Sequence, residues 1–392
     1  MALPATASVV VIGGGVIGAS VAHHLSSLGV RDVVVLDRFE RPGLGSTGAA
    51  TGGFRAQYGT AINVRLSLLA REKLERFEEE TGVDPGYEQA GYLWLARDEV
   101  ALQSLRDGNR MQRDEGLAEA AIVSTNEIVR INPALSLDGV VGGAFCPSDG
   151  FLLPLAIVDG YRAAAERRGA RFEYGAPVLA LERSSNGRVD SVVTSRGRVA
   201  AGAVVNAAGP WAREVAALAG VDLRVTPLRR QVLPTVATAA LPPNMPMSIW
   251  TDDGFHLRVR DGRVLLLWPS AGDEKDPYST AVDRAWIDAV TAKARARVPI
   301  LRDVAVDHGA AWAGLYEISP DKHAILGRAD ECPNIWLVNG SSGHGIMHAP
   351  ALGQLLAEMM TSRDGRASTL DVHALRPTRF AEGEEIVGPA LL

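Results

Sequence analysis

The 392-residue sequence exceeds one typical core and suffices for two or three, and its 47% apolar and 22% charged residues give an ordinary soluble globular balance. The net charge of −6 argues against a nucleic-acid binder, whose surface must attract phosphates, and no apolar run reaches the ~20 residues of a membrane helix. Residues 1–8 hold no basic segment ahead of an apolar stretch of about 7–15 residues, so no secretory signal is indicated and a cytoplasmic protein is expected. Cys146 and Cys332 are far apart with no CxxC pairing, which favours buried free thiols over a disulfide or a zinc site.

In chain order, residues 9–12 form a short apolar run that stops at Gly13, as a buried parallel strand does. Ile17, Val21, Leu25 and Leu28 then recur at helical spacing and Gly29 ends the helix. Residues 33–36 make a second strand, closed by Asp37. The stretch 41–58 is so rich in Gly, Ala and Thr that no regular element is expected there. Thr60 is placed to cap a long helix with Leu66, Leu69, Ala70, Leu74 and Phe77 on one face, and the charged run 72–80 reads as its solvated side.

Residues 91–96 read as a strand and 98–116 as a polar helix. After Phe145 an α/β texture returns, with a helix over 154–168, strands at 171–174, 178–182, 189–194 and 203–205, and then Asn206-Ala207-Ala208-Gly209. The stretch 221–312 reads as antiparallel β, with alternation at 255–260 and 264–268. A last strand at 335–338 meets a glycine-rich turn and a helix over 346–360. The alternation predicts two interleaved domains: 1–85, 143–220 and 318–392 for a nucleotide domain, 86–142 and 221–317 for a β-rich substrate domain over it.

The chief motif is Gly13-Gly14-Gly15-Val16-Ile17-Gly18, set between a strand and a helix, with a second strand ending in an acidic residue. Gly13 permits the tight turn, Gly15 lets backbone amides approach a pyrophosphate at the helix N-terminus, and Gly18 lets the helix pack on the strand. Asp37 lies 19 residues past Gly18, where a carboxylate binds both ribose hydroxyls and disfavours a 2′-phosphate. The small residues from Gly43 to Ala50 suit close approach of a second, extended ligand portion, which turns the choice from NAD towards FAD; a loop of small residues is also common without a ligand.

Gly13–Gly18, Asp37, Ser46-Thr47, Asn206-Ala207-Ala208-Gly209-Pro210-Trp211 and Gly343-His344-Gly345 follow the same order as in the D-amino-acid oxidase/sarcosine oxidase family of flavoproteins, which the chain resembles over essentially its whole length. The segments from Gly52 to Gly59 and from Ser342 to Pro350 are most similar to the β-subunits of heterotetrameric sarcosine oxidases and to dye-linked proline dehydrogenases. The resemblance implies an α/β chain (α+β overall) whose Rossmann-like FAD-binding domain, of p-hydroxybenzoate-hydroxylase type, is interleaved with the β-rich domain. It also implies FAD as cofactor and oxidation of amines carrying a carboxylate. The cofactor-binding set expected is Gly13, Gly15, Gly18, Asp37, Arg38, Ser46, Thr47, Val178, Ala208, Gly209, Gly343, Gly345, Ile346 and Met347.

Departures from the family bear on the substrate. Gly314 stands where monomeric sarcosine oxidases carry the cysteine that attaches the flavin, so FAD is expected to be held non-covalently there. Tyr316 stands where glycine and D-amino-acid oxidases hold a substrate-carboxylate arginine, and Met347 lies near the lysine of monomeric sarcosine oxidases. Arg55, whose planar fork suits a bidentate carboxylate, then becomes the main carboxylate candidate. Arg258, on one strand face with His256 and Arg260, is a weaker second that a surface strand would also produce. His344 either reaches the flavin or substrate or is held by its neighbours; Gly343 and Gly345 bring amides, and the following helix its positive end, to the flavin region.

The expected reaction is oxidation of a secondary or N-methylated amino acid, sarcosine- or proline-like, to an imine by hydride transfer to flavin N5, with Arg55, Tyr316 and His344 nearest the substrate. Oxygen or an electron carrier would be the acceptor, a partner subunit is possible, and no metal is expected. Two alternatives stand beside it: a non-catalytic or electron-transfer flavoprotein subunit or assembly factor working with a partner, and an NAD-dependent dehydrogenase with a similar start.

Overall fold

The computed structural model describes residues 2–269 and 276–388 and builds them around two eight-stranded sheets. In the first, strand Thr6–Ile12 pairs in parallel with Val33–Leu36 on one side and Gly197–Asn206 on the other. Ile335–Asn339 adds in parallel beyond Gly197–Asn206, and Arg171–Glu173 beyond Val33–Leu36. Val33–Leu36 is buried at all four residues, as expected of a parallel strand covered on both faces. Val189–Thr194 and Val178–Arg183 continue as an antiparallel extension.

Helix Val16–Ser27 lies on one face and packs against helices Pro154–Glu166 and Gly345–Thr361. The crossing with Gly345–Thr361 is so close that a Cβ on Gly353 would fall 2.1 Å from Ser20 Oγ. The parallel register aligns Ile12, Asn206 and Leu337 across three strands. The turns that follow them therefore open at one edge of the sheet, the place where open α/β sheets bind ligands.

The second sheet runs in the order Trp312–Ile318, Thr226–Pro234, Arg263–Leu267, His256–Arg260, Met247–Trp250, Tyr92–Ala96, Gly142–Cys146, Ala121–Val123. It is antiparallel except where Met247–Trp250 runs parallel to Tyr92–Ala96. Its register aligns Val232, Leu267, His256, Ile249 and Trp94 in one row across five strands. Both cysteines are buried free thiols, and no helix among the described residues is long and apolar enough to cross a membrane.

Several elements differ from the sequence reading. The β-rich stretch 221–312 contains helix Arg284–Arg297, which buries only Trp286, Ile287, Val290 and Ala294; so narrow an apolar stripe among basic residues gave no clear helical signal. Helix Thr125–Ile131, closed by a capping box between Ser124 and Glu127, and strand Ile325–Arg328 are further additions. The Gly-rich stretch 41–58, read as irregular, contains a short helix, Ser46–Ala49, and a two-residue strand, Gly53–Phe54. Distant partners order it: Ser46 Oγ donates to the Leu315 carbonyl at 2.7 Å and Gly53–Phe54 pairs with Gly150–Phe151. Thr60 does occupy the N-cap of helix Ala61–Glu75, but its hydroxyl pairs with His323 Nε2 at 2.8 Å instead of capping a backbone N–H. Strand Gly142–Cys146 hydrogen-bonds to Tyr92–Ala96 and so belongs to the second sheet, although residue 143 was read as opening a segment of the nucleotide domain.

Candidate active site

One cavity of about 770 Å³ lies between the two sheets, within the size range of ligand and cofactor sites. Every residue singled out from the sequence for cofactor or substrate lines it, except Gly18 and Arg258. Gly18 acts from beneath: a Cβ there would sit 1.9 Å from the Gly13 carbonyl oxygen, and a Cβ on Gly13, whose φ is +107°, would meet the Ala207 carbonyl oxygen at 2.3 Å. Only glycine lets these three backbone segments meet.

Asp37 is tied into the same turn. Its two carboxylate oxygens accept from the Gly14 N–H at 2.7 Å and the Phe39 N–H at 2.8 Å. Burial raises its pKa, the two amides opposing. Thr47 Oγ1 accepts from the Val16 N–H at 3.1 Å, satisfying a donor at the start of helix Val16–Ser27 that has no partner within the helix. Asn206 braces the turn beside it, its Oδ1 accepting from the Ala208 N–H at 3.1 Å and its Nδ2 donating to the Ala212 carbonyl at 2.8 Å. Arg38 lies over the Trp211 ring at 4.8 Å.

At the other end of the cavity Gly343, with φ of +90°, turns the chain into helix Gly345–Thr361, and a Cβ on it would strike the Tyr316 ring at 2.4 Å. His344 is the N-cap residue of that helix. Its Nε2 lies 3.3 Å from Arg55 Nη2; a guanidinium only donates, so this ring nitrogen accepts and the hydrogen of the neutral ring resides on Nδ1. Arg55 is 4% exposed, with its Cζ 4.4 Å from the Tyr58 ring and 5.0 Å from that of Trp94. Tyr58 donates its hydroxyl to Met347 Sδ at 3.1 Å, and burial pushes that hydroxyl up to about 12. Asp149, fully buried, accepts from the Ala56 N–H at 2.7 Å and from Gln57 Nε2 at 3.0 Å, which fixes the Ala56 backbone and the Gln57 side chain; burial raises its carboxyl to about 6, with Arg55 among the groups opposing.

Arg258 is corrected. It lines no part of the cavity and is no surface residue: Nη1 donates to the Thr51 carbonyl at 2.8 Å and the guanidinium covers the Phe151 ring at 3.5 Å. Its neighbour Arg260 reaches the Ala50 carbonyl at 3.2 Å, so this strand face clasps the Gly-rich loop. His256, two residues earlier, does face the cavity. Its Nδ1 donates to the Gly254 carbonyl at 2.8 Å, leaving Nε2 as an acceptor, and burial lowers its pKa to about 4, with the Arg55 and Arg230 charges adding to the effect.

Sequence reasoning missed Arg230, Trp94 and Glu317 on the wall. Residues 91–96 and the stretch 221–312 read as β, but nothing there shows which sheet face a distant segment covers, and the strand Trp312–Ile318 that holds Glu317 lies largely beyond that stretch. Glu317 is buried beneath the Gly343 turn, its carboxylate accepting from the Ser341 N–H at 3.4 Å, and burial raises its pKa to about 7.

The cavity thus has a glycine-built end with a half-buried acidic residue, a middle lined by small residues, and a polar end with one buried and one half-buried cation and a helix N-terminus. That sequence of environments fits an extended dinucleotide with a charged substrate at one end. The family model described as "FAD dependent oxidoreductase" (DAO) matches residues 8–359, and the chain belongs to this family of FAD-dependent oxidoreductases. Among its relatives, mouse mitochondrial dimethylglycine dehydrogenase is 30% identical over 96% of this chain and 44% of its own length. Human mitochondrial sarcosine dehydrogenase is 28% identical over 96% of this chain and 42% of its own; the chain therefore spans less than half of these curated relatives. The crystal structure of L-proline dehydrogenase from P. horikoshii superposes with a TM-score of 0.90 at 27% identity, covering 98% of this chain and all of that one.

Proposed function

We propose that this chain holds FAD non-covalently and oxidises the C–N bond of a secondary or N-methylated amino acid, proline- or sarcosine-like, to an imine. The observation that carries the reading is Arg55: a buried guanidinium on the cavity wall, held between two aromatic rings and hydrogen-bonded to the residue that opens helix Gly345–Thr361. A cation so placed is pre-organised for a carboxylate, and its planar fork suits bidentate pairing. The named activities of the dimethylglycine, sarcosine and proline dehydrogenases support the same substrate class.

In this reading Gly13, Gly15 and Asp37 hold the adenosine diphosphate half, with Arg38, Val178, Ala208 and Gly209 beside it. Ser46, Thr47 and the turn from Gly343 to Met347 hold the remainder, and Gly18 acts by allowing the close packing below. Bound FAD supplies the two-electron acceptor. Arg55 fixes the substrate carboxylate, Tyr316 stands beside it, and His344 orients Arg55. The substrate must present a neutral amine, so the apparent rate is expected to rise with pH as the bound ammonium loses its proton. The segments 1–85, 147–220 and 318–392 would form the cofactor unit and 86–146 with 221–317 the substrate unit, the boundary after Cys146 following sheet membership.

The test is anaerobic mixing with proline, sarcosine and N,N-dimethylglycine while flavin absorption is followed. Bleaching by a secondary or N-methylated amino acid supports the reading; a flavin that none of them reduces overturns it in favour of a subunit that serves a partner. Readmitting air assigns the acceptor, with prompt recolouring expected of an oxidase and slow recolouring of a dehydrogenase.

A further inference from the structure

The cavity wall contains a second cation, Arg230, that the reading above does not use. It lies on strand Thr226–Pro234, facing the cavity. Its Nη1 donates to the Arg229 carbonyl at 3.3 Å and its Cζ is 5.7 Å from the Tyr316 ring. Among the described residues no carboxylate pairs with it, and burial lowers its pKa, with only the Tyr316 hydroxyl opposing. More deeply buried guanidiniums are satisfied: Arg379 forms a two-pronged pair with Asp321, and Arg258 reaches the carbonyls of Thr51 and Gly52. A half-buried cation with donors left open to a cavity costs stability unless an anion arrives to pair with it.

Arg55 and Arg230 reach the cavity from different parts of the chain. Arg55 rests on Trp94 of strand Tyr92–Ala96 and Arg230 beside Tyr316 of strand Trp312–Ile318. Four strand intervals separate Thr226–Pro234 from Tyr92–Ala96, roughly 19 Å at the backbone at ~4.8 Å per interval. The two long side chains lean over a common floor, since both charges bear on His256 and on the Tyr316 hydroxyl. We propose that Arg230 seats a second carboxylate, so that the substrate is a secondary amine with an acid group at each end. This rests on the reading of Arg55 as the first seat; Tyr316 and His256 then flank the amine between the two.

The test uses purified holoprotein titrated with glutarate, succinate and butyrate, following the perturbation of flavin absorption. Glutarate or succinate is expected to bind at least tenfold more tightly than butyrate. Arg230→Met should bring that ratio to within threefold of one, Arg230→Lys should restore part of it, and Arg55→Met should weaken both classes. Equal affinity of the wild type for mono- and dicarboxylates overturns the proposal, as does an unchanged ratio in Arg230→Met or loss of FAD from it, which would assign Arg230 to the cofactor. If Arg230→Met fails to fold, the wild-type ratio and Arg230→Lys decide. Bleaching by N-methylglutamate compared with sarcosine separates the two levels: no bleaching by any amine sinks the amine reading while the binding ratio still judges the second seat, and bleaching without a dicarboxylate preference sinks the second seat alone.

Discussion

The two ends of the cavity are built differently. The end around Gly13, Asp37 and Ala208 is made mostly of backbone, positioned by three parallel strands whose register is local and regular. The other end is made of side chains, Arg55, Arg230, His256, Tyr316 and His344, that come from separate segments and meet only because the second sheet folds over the first. Backbone sites tolerate almost any side chain that stays out of the way, and fail when a Cβ appears where none fits. Side-chain sites fail by loss of one charge. The two ends should therefore break in different ways under mutation.

The largest effect is expected from Gly18→Val. A Cβ 1.9 Å from the Gly13 carbonyl oxygen, with branches beyond it, pushes the first helix off the strand. Absorption near 450 nm of the purified protein should show FAD binding abolished, and a variant with full flavin content would disprove the packing argument. Next comes Arg55→Met, which should lower kcat/KM for the best amino acid on the order of a hundredfold to a thousandfold, roughly 3–4 kcal/mol. Flavin content should be retained, since the guanidinium belongs to the substrate end; loss of flavin would erase the distinction between the ends.

Asp37→Ala removes the acceptor for two backbone amides and, with it, the proposed ribose contact. A roughly tenfold to hundredfold weaker FAD affinity is expected, about 1.4–2.7 kcal/mol, with the kcat of the reconstituted enzyme little changed. Equilibrium dialysis against FAD checks the first part and saturation kinetics the second.

The smallest effect concerns the core beneath the nucleotide end. His23 sits in helix Val16–Ser27 against His24 and Tyr161, and burial lowers its pKa from 6.5 to about 4, with Arg168, Lys73 and Arg167 adding to the effect. The folded state therefore binds fewer protons than the unfolded one, so stability present above pH 6.5 is lost as pH falls towards about 4. His23→Leu should raise Tm by a few degrees at pH 5 relative to wild type and change it little at pH 8. A melting series over that range decides it, and an equal shift at both pH values would show that packing alone is responsible.

Legibility in the sequence followed the same division. The Gly13–Gly18 motif, the helix that follows and Asp37 could be read because their chemistry is consecutive, with strand, turn and helix signalled by neighbours a few residues apart. The Gly343–Gly345 turn was readable for the same reason. Arg258 and Arg230 show the limit. Both lie on strands of the second sheet and look equally like surface or site residues in sequence; one clasps the loop at Thr51 and the other faces the cavity. Nothing within either strand records which distant segment covers its face. Helix Arg284–Arg297 escaped because a four-residue apolar stripe among charges acquires meaning only once the sheet it covers exists.

By itself, then, the amino-acid sequence determined the strand, glycine turn and helix that open the first sheet, because glycine spacing and strand periodicity act over short stretches of chain. Tertiary structure alone decided which cations surround the substrate end. The register of the second sheet brings Trp94, His256 and Val232 into one row, and the packing of that sheet over the first puts Arg55 and Arg230 on the wall of a single cavity.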